Sequence, residues 1–272
     1  MAIVQPFGFF APTGGGGGVG YGNPPYDQDL IAYYDFGDAS DGSWTGGSTL
    51  LSGDSVTDLS GNGFNSTLNK GNQTWNYDSG IGKGVIKTNQ KDGGYFYMDA
   101  LTGGFLGLTA YTFEFAAYVW QAISNDNLIM RFDNGSSGGS RAESNIQQYP
   151  SSPPKRIGFD TITDQSNNIS VGTTNQVVSA GFLHLVYTAA QGETSKVYYQ
   201  GSLLGQGSAT MSGTDDFDFN RTGAQQDTNA WFGTSNYSQG TWPQSIGVFR
   251  LYSSAMPASS VTANYNFYSP QF

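Results

Sequence analysis

Apolar and polar residues alternate in short runs along most of this chain, and turn-forming residues break the runs at close intervals. Leu30 to Phe36 sets Ile31, Tyr33 and Asp35 against Leu30, Ala32, Tyr34 and Phe36. That period of two is the mark of a strand with two different faces. Tyr111 to Trp120 behaves the same way, with Phe113, Phe115 and Ala117 on one side. So does Phe182 to Thr188, where Phe182, His184, Val186 and Thr188 oppose Leu183, Leu185 and Tyr187. Further strands are expected at Val85–Lys87, Tyr95–Met98, Leu128–Phe132, Ile157–Phe159, Ala230–Phe232 and Ser245–Tyr252. Gln200 and Gly201, between Lys196–Tyr199 and Leu203–Leu204, read as a tight hairpin turn. Residues 134–155, rich in Gly, Ser and Pro, read as a loop. Ser259 to Tyr265 is the one segment that reads as a short helix. The pattern predicts about 12–14 strands in a sandwich or jelly roll.

Composition sharpens this. The chain has 272 residues, with 39 Gly, 17 Tyr and 18 Phe, and charged residues make up only 12%. Frequent glycine, many aromatics and few charges are how an all-β chain with many turns reads. The length suits one sandwich domain, 30–272, preceded by an extended arm, 1–29. In the arm Phe7, Phe9 and Phe10 sit between Pro6 and Pro12, five glycines follow, and Tyr21 precedes Gly-Asn-Pro-Pro. Such a strap has no preferred shape of its own. The segment reads either as a loose tail or as an anchor, in which Phe7, Phe9, Phe10 and Tyr21 fasten the chain to a partner. The arm lacks the positive region of a secretory signal, and no run approaches the length of a membrane span.

A formal net charge of −10 repels phosphate backbones, which argues against nucleic acid as a partner. There is no cysteine, so disulfides and thiolate metal sites are excluded.

Several segments, taken in order, carry a resemblance. Val56 to Asn65 (Val-Thr-Asp-Leu-Ser-Gly-Asn-Gly-Phe-Asn) resembles a D-x-S-G-N-G-N turn, and Leu30 to Phe36 resembles the strand before it. Tyr111 to Trp120 resembles a T-x-S-x-W-V strand. Phe182 to Thr188, then Val197 to Leu203, resembles W-H-H-V-A-V-T followed by L-Y-V-D-G. Ile246 to Tyr252 resembles a closing I-D-E-V-R-I-Y strand. Together they resemble the concanavalin A-like lectin/glucanase superfamily in its laminin-G-like branch. The resemblance implies a two-sheet antiparallel jelly-roll sandwich over residues 30–268, and it implies fold rather than activity. Phe182 stands where that family often has Trp, and Gly247 and Val248 stand where it has an acidic pair.

Catalytic signals are weak. A glycosidase needs two carboxylates held some 5–9.5 Å apart. Glu114 is the only acid in its strand, and Glu143 and Glu193 lie in loop-like sequence. His184, the only histidine, sits in an apolar strand and reads as a packed, hydrogen-bonded core residue. Enzyme chemistry is not expected, and a glycoside hydrolase is the least favoured reading. Calcium is the one cofactor that the sequence suggests. Asp215, Asp216 and Asp218 cluster with Asn220, and Asp54, Asp58 and Asn62 form a second set, neither at the spacing of a calcium loop. Glycan contacts would need exposed aromatics beside amides. Trp44, Trp75, Asn236, Tyr237 and Trp242 lie in such sequence.

Two functional readings follow. In the first the chain is a non-enzymatic virion protein, a bacteriophage decoration or tail-associated module. Its arm would dock on capsid or tail proteins, in a symmetric homo-oligomer. In the second it is a carbohydrate-binding module that recognises glycans of a host surface, and it works outside cells or at the cell surface.

Overall fold

The computed structural model describes residues 20–37, 49–50, 54–69, 75–88, 94–97, 108–119, 127–133, 141–147, 156–162, 168–172, 179–210, 231–234 and 244–272. In chain order the first strands are β1 (Leu30–Asp35), β2 (Thr49–Leu50), β3 (Ser55–Val56), β4 (Ser66–Asn69), β5 (Trp75–Asp78) and β6 (Val85–Thr88). Next come β7 (Gly94–Tyr97), β8 (Ala110–Val119), β9 (Asn127–Asp133), β10 (Arg141–Gln147), β11 (Arg156–Ile162) and β12 (Asn168–Gly172). The last are β13 (Gly181–Ala190), β14 (Thr194–Tyr199), β15 (Ser202–Thr210), β16 (Trp231–Thr234) and β17 (Gln244–Tyr252). One helix, α1 (Ala258–Tyr268), follows, with a 3-10 turn at Ser269–Gln271.

The strands form two antiparallel sheets. The first runs β15-β14-β13-β8-β17-β6-β5-β2, with β1 also paired to β17. The second runs β12-β11-β10-β9-β16-β7-β4-β3. The fold is an all-β sandwich, as the alternation predicts. Between the sheets lies an aromatic core in which Phe249 meets Phe113, Phe115 and Tyr34 at ring-centroid distances of 6.3, 4.9 and 6.0 Å. Ile157 and Val56 join this core from the second sheet.

The predicted hairpin turn is present: Gln200 (φ 50°) and Gly201 (φ 76°) join β14 to β15. Two positive φ values match the right-handed twist of the flanking strands. A glutamine tolerates that backbone because its side chain is used. Its Oε1 accepts from His184 N at 2.9 Å and its Nε2 donates to Phe182 O at 2.7 Å.

The expected loop over 134–155 is corrected in part. Residues 141–147 form β10, paired on both sides, to β9 and to β11. Arg-Ala-Glu-Ser-Asn-Ile-Gln has little intrinsic strand preference, so pairing on two edges overrides propensity there. Glu143, expected in a loop, therefore stands in the middle of a strand.

The described part of the arm is also corrected. Tyr21 is not exposed to a partner. It is buried in the chain's own body, its ring stacks on Phe272 at 4.5 Å, and its hydroxyl donates to Gly84 O at 2.9 Å. A tyrosine buries more area than any other group in that turn, and the outer face of the first sheet accepts it. Phe7, Phe9 and Phe10 lie outside the described residues.

Candidate functional site

Each sheet has an outer face. That of the first sheet is covered by residues 20–29 and by the helix α1. Along it the alternation brings polar side chains together: Glu114 lies opposite Arg250, which lies opposite Tyr33. His184 lies opposite Ala116, two residues along β8 from Glu114 on the same face. α1 and residues 20–29 cover these groups, so Glu114, His184, Arg250, Asp35 and Asn264 are all buried.

The buried groups hold one another. Glu114 accepts from His184 Nε2 at 3.0 Å, from Tyr252 Oη at 2.6 Å and from Asn264 Nδ2 at 3.1 Å. Burial alone pushes this carboxyl up. The His184 bond and charge, the charge of Arg250 and the Tyr252 bond outweigh it, and Glu114 sits below its ordinary value. Arg250 stacks over the Tyr33 ring at 3.7 Å and donates through Nη2 to Gly22 O at 2.8 Å. Asp35 accepts from Tyr33 Oη at 2.7 Å, Gly37 N at 2.9 Å and Gly22 N at 3.1 Å. Burial still dominates there and raises its carboxyl.

This arrangement fastens parts together, and each of its members is buried. Asn264 links Glu114 to the N-terminal segment, since its Oδ1 accepts from Tyr26 N at 3.0 Å. His184 is the packed, hydrogen-bonded histidine that the sequence suggests.

The Asp58 loop is another fastening. Asp58 Oδ1 accepts from Tyr33 N and Ser60 N, both at 2.9 Å. Its Oδ2 accepts from Ser60 Oγ at 2.7 Å and Phe64 N at 3.0 Å. Asn62 Nδ2 donates to Ile31 O at 2.9 Å. The expectation that Asp54, Asp58 and Asn62 form a cation set is thereby corrected, because the Asp58 oxygens are filled by four donors of the chain itself. Among the described residues no three His, Cys, Asp or Glu groups come together as a metal site. Asp215, Asp216 and Asp218 lie outside the described residues.

On the second sheet the faces are fixed at both ends. At one end Val56 is in the core while Ser55 is exposed. At the other, Ile157 is in the core. Following the register from each end gives the same answer. Val56 pairs with Ser66, so Thr67 shares the outer face with Ser55. Thr67 pairs with Tyr97, Tyr97 with Trp231, and Trp231 with Arg131. From the other end Ile157 pairs with Ile146, so Glu143 and Asp160, which pair with each other, belong to the outer face. Glu143 also pairs with Arg131. One register row thus carries Thr67, Tyr97, Trp231, Arg131, Glu143 and Asp160 on the face away from the core.

Of the residues named from sequence for glycan contact, Trp75 opens β5 in the first sheet, paired to Leu50 and Thr88. It is not on the sheet that holds Trp231 and Tyr97. Trp44, Asn236, Tyr237 and Trp242 lie outside the described residues. Sequence reasoning passed over Trp231 and Tyr97 because both read as ordinary strand residues. The available signal was their alternation with Phe232 and Phe96.

No protein-family model and no curated protein matches the chain. Solved structures do. Domain 4 of an extracellular arabinanase from Geobacillus stearothermophilus, in complex with arabinotriose, matches at TM-score 0.54 and 17% identity. The match covers 86% of this chain and 97% of that one. The botulinum neurotoxin type G receptor-binding domain matches at TM-score 0.53 and 14% identity, over 88% of this chain and 51% of that one. The botulinum neurotoxin serotype D binding domain matches at TM-score 0.54 and 13% identity, over 88% of this chain and 50% of that one. The chain therefore spans about half the length of these neurotoxin domains. At such identities the likeness is one of fold, and the chain is a two-sheet antiparallel β-sandwich of the architecture these binding domains share.

Proposed function

We propose that this protein is a non-catalytic carbohydrate-binding sandwich whose recognition surface is the outer face of its second sheet. The observation that carries the proposal is the register pairing of Trp231 with Tyr97 on the face away from the core. Aromatic residues at adjacent positions suit the C–H faces of a sugar ring. Flanking polar positions supply the hydroxyl contacts. The likeness in fold to an arabinanase domain solved with arabinotriose supports the same reading. A glycan array followed by titration calorimetry tests it. Retention of at least one glycan class by the folded chain is expected, with no release of reducing ends. An array at background, with the melting transition intact, would refute it.

A second reading, attachment to a larger particle such as a virion, is supported by the composition of residues 1–19 and by the place where they join the body. Gly20 to Asp29 run over the outer face of the first sheet, where Arg250 and Asn264 hold them. An attachment there would leave the second sheet facing outward. Deletion of residues 2–19, which spares Tyr21 and Tyr26, should abolish incorporation into particles while leaving the sandwich folded. Full incorporation of the shortened chain would dispose of this reading.

A further inference from the structure

The row on the second sheet also carries information about the chemistry of its ligand. Beside the aromatic pair stands Arg131, and beyond it Glu143 and Asp160, opposite one another on β10 and β11. Directly opposed positions in an antiparallel pair bring their Cβ atoms to about 5 Å. The single cation in the row is thus next to one carboxylate and two strands from another. The row as a whole is acidic, on a chain whose formal net charge is −10. Like charges across an interface suppress wrong partners and slow their encounter. Neighbouring strands lie about 4.8 Å apart, so the stretch from Thr67 to Asp160, five spacings, measures roughly 24 Å. That length admits several sugar rings laid across the strands.

We infer that the ligand of this face is a neutral, extended glycan that runs across the strands, and that sialylated or uronic-acid-bearing chains are rejected. The aromatic end stacks on the sugar rings. The acidic positions suit hydroxyl donors, and one cation against two carboxylates leaves the row with net negative charge. This rests on the glycan-binding reading above and adds the class of glycan and the residues that select it.

The test uses the full chain on arrayed neutral oligosaccharides and on the same oligosaccharides capped with sialic acid. Trp231→Ala and Tyr97→Ala should each weaken binding of the neutral glycan about tenfold or more, as central aromatic anchors do. Glu143→Gln with Asp160→Asn should narrow the gap between neutral and capped glycans, and this milder pair guards against a fold defect in the aromatic variants. Intact neutral binding in all these variants would overturn the inference while leaving the glycan reading in place. A wild-type preference for capped glycans would overturn it as well. No glycan binding at all would remove both.

Discussion

Asn264 of α1 donates through Nδ2 to both carboxylate oxygens of Glu114 on β8, at 3.1 and 3.3 Å. The same Asn264 accepts from Tyr26 N. One amide therefore joins the helix, a central strand and the N-terminal segment. Asn264→Leu would leave the Tyr26 N–H without its acceptor and Glu114 short of a donor. We expect a loss of roughly 2–3 kcal/mol in urea unfolding, the usual cost of stranding buried polar groups. A change below about 0.5 kcal/mol, the range of ordinary surface substitutions, would show that this amide fastens nothing.

Two of the buried carboxylates, Glu114 and Asp35, oppose each other in pH dependence. Glu114 is held below its ordinary value of 4.5. Its contribution is therefore present at neutral pH and fades as the pH falls through the lower, folded value. Asp35 is raised above its ordinary 3.8. Its contribution is present at low pH and fades as the pH rises through the raised value. Glu114→Gln should be less stable than the parent at pH 7 and approach it on acidification. Asp35→Asn should show the reverse trend. Unfolding midpoints taken from pH 7 to pH 3 check both signs.

Gly247 marks a close approach. The register between β17 and β8 shifts there, and the Gly247 carbonyl accepts from Phe36 N at 2.8 Å. A Cβ at this position would lie 2.4 Å from the Phe272 ring and 3.0 Å from the Tyr21 ring. Gly247→Ala should cost about 1–3 kcal/mol by overpacking. Phe272→Ala should recover part of that cost in a double-mutant cycle. Full additivity of the two changes would contradict the geometry. The pressure of two aromatic rings explains the glycine here.

Asp58→Ala should be among the more damaging single changes. Four donors converge on that carboxylate, one from β1 and three from the segment between β3 and β4. Bonds to a charged acceptor are worth more than neutral ones, so a loss of about 3 kcal/mol in a denaturant titration is expected. A neutral result would mean that the loop closes without its aspartate.

Much of the first sheet was legible from local pattern. Tyr111 to Val119 and Phe182 to Thr188 alternate because one face of each packs between the sheets. Leu30 to Phe36 departs from the expected alternation: the register shifts between Leu30 and Ala32, and Ile31 joins Ala32, Tyr34 and Phe36 in the core. Gln200 and Gly201 announced their hairpin for the equally local reason that a two-residue turn needs two positive φ values. The helix at the C-terminus was visible too.

Tertiary structure alone decided the rest. Tyr26 meets Asn264 across nearly the whole chain, and no local signal records such a meeting. The arm therefore read as an appendage where Tyr21 is in fact core. Polar β10 hid among glycines and prolines because its stability comes from partners on either side and not from its own residues. The outer row of the second sheet was illegible for the same reason. Alternation states which residues share a face within a strand, but only the register between strands sets Trp231 beside Tyr97 and Glu143 beside Asp160. Register is a property of the assembled sheet, set by long-range pairing that no single strand records.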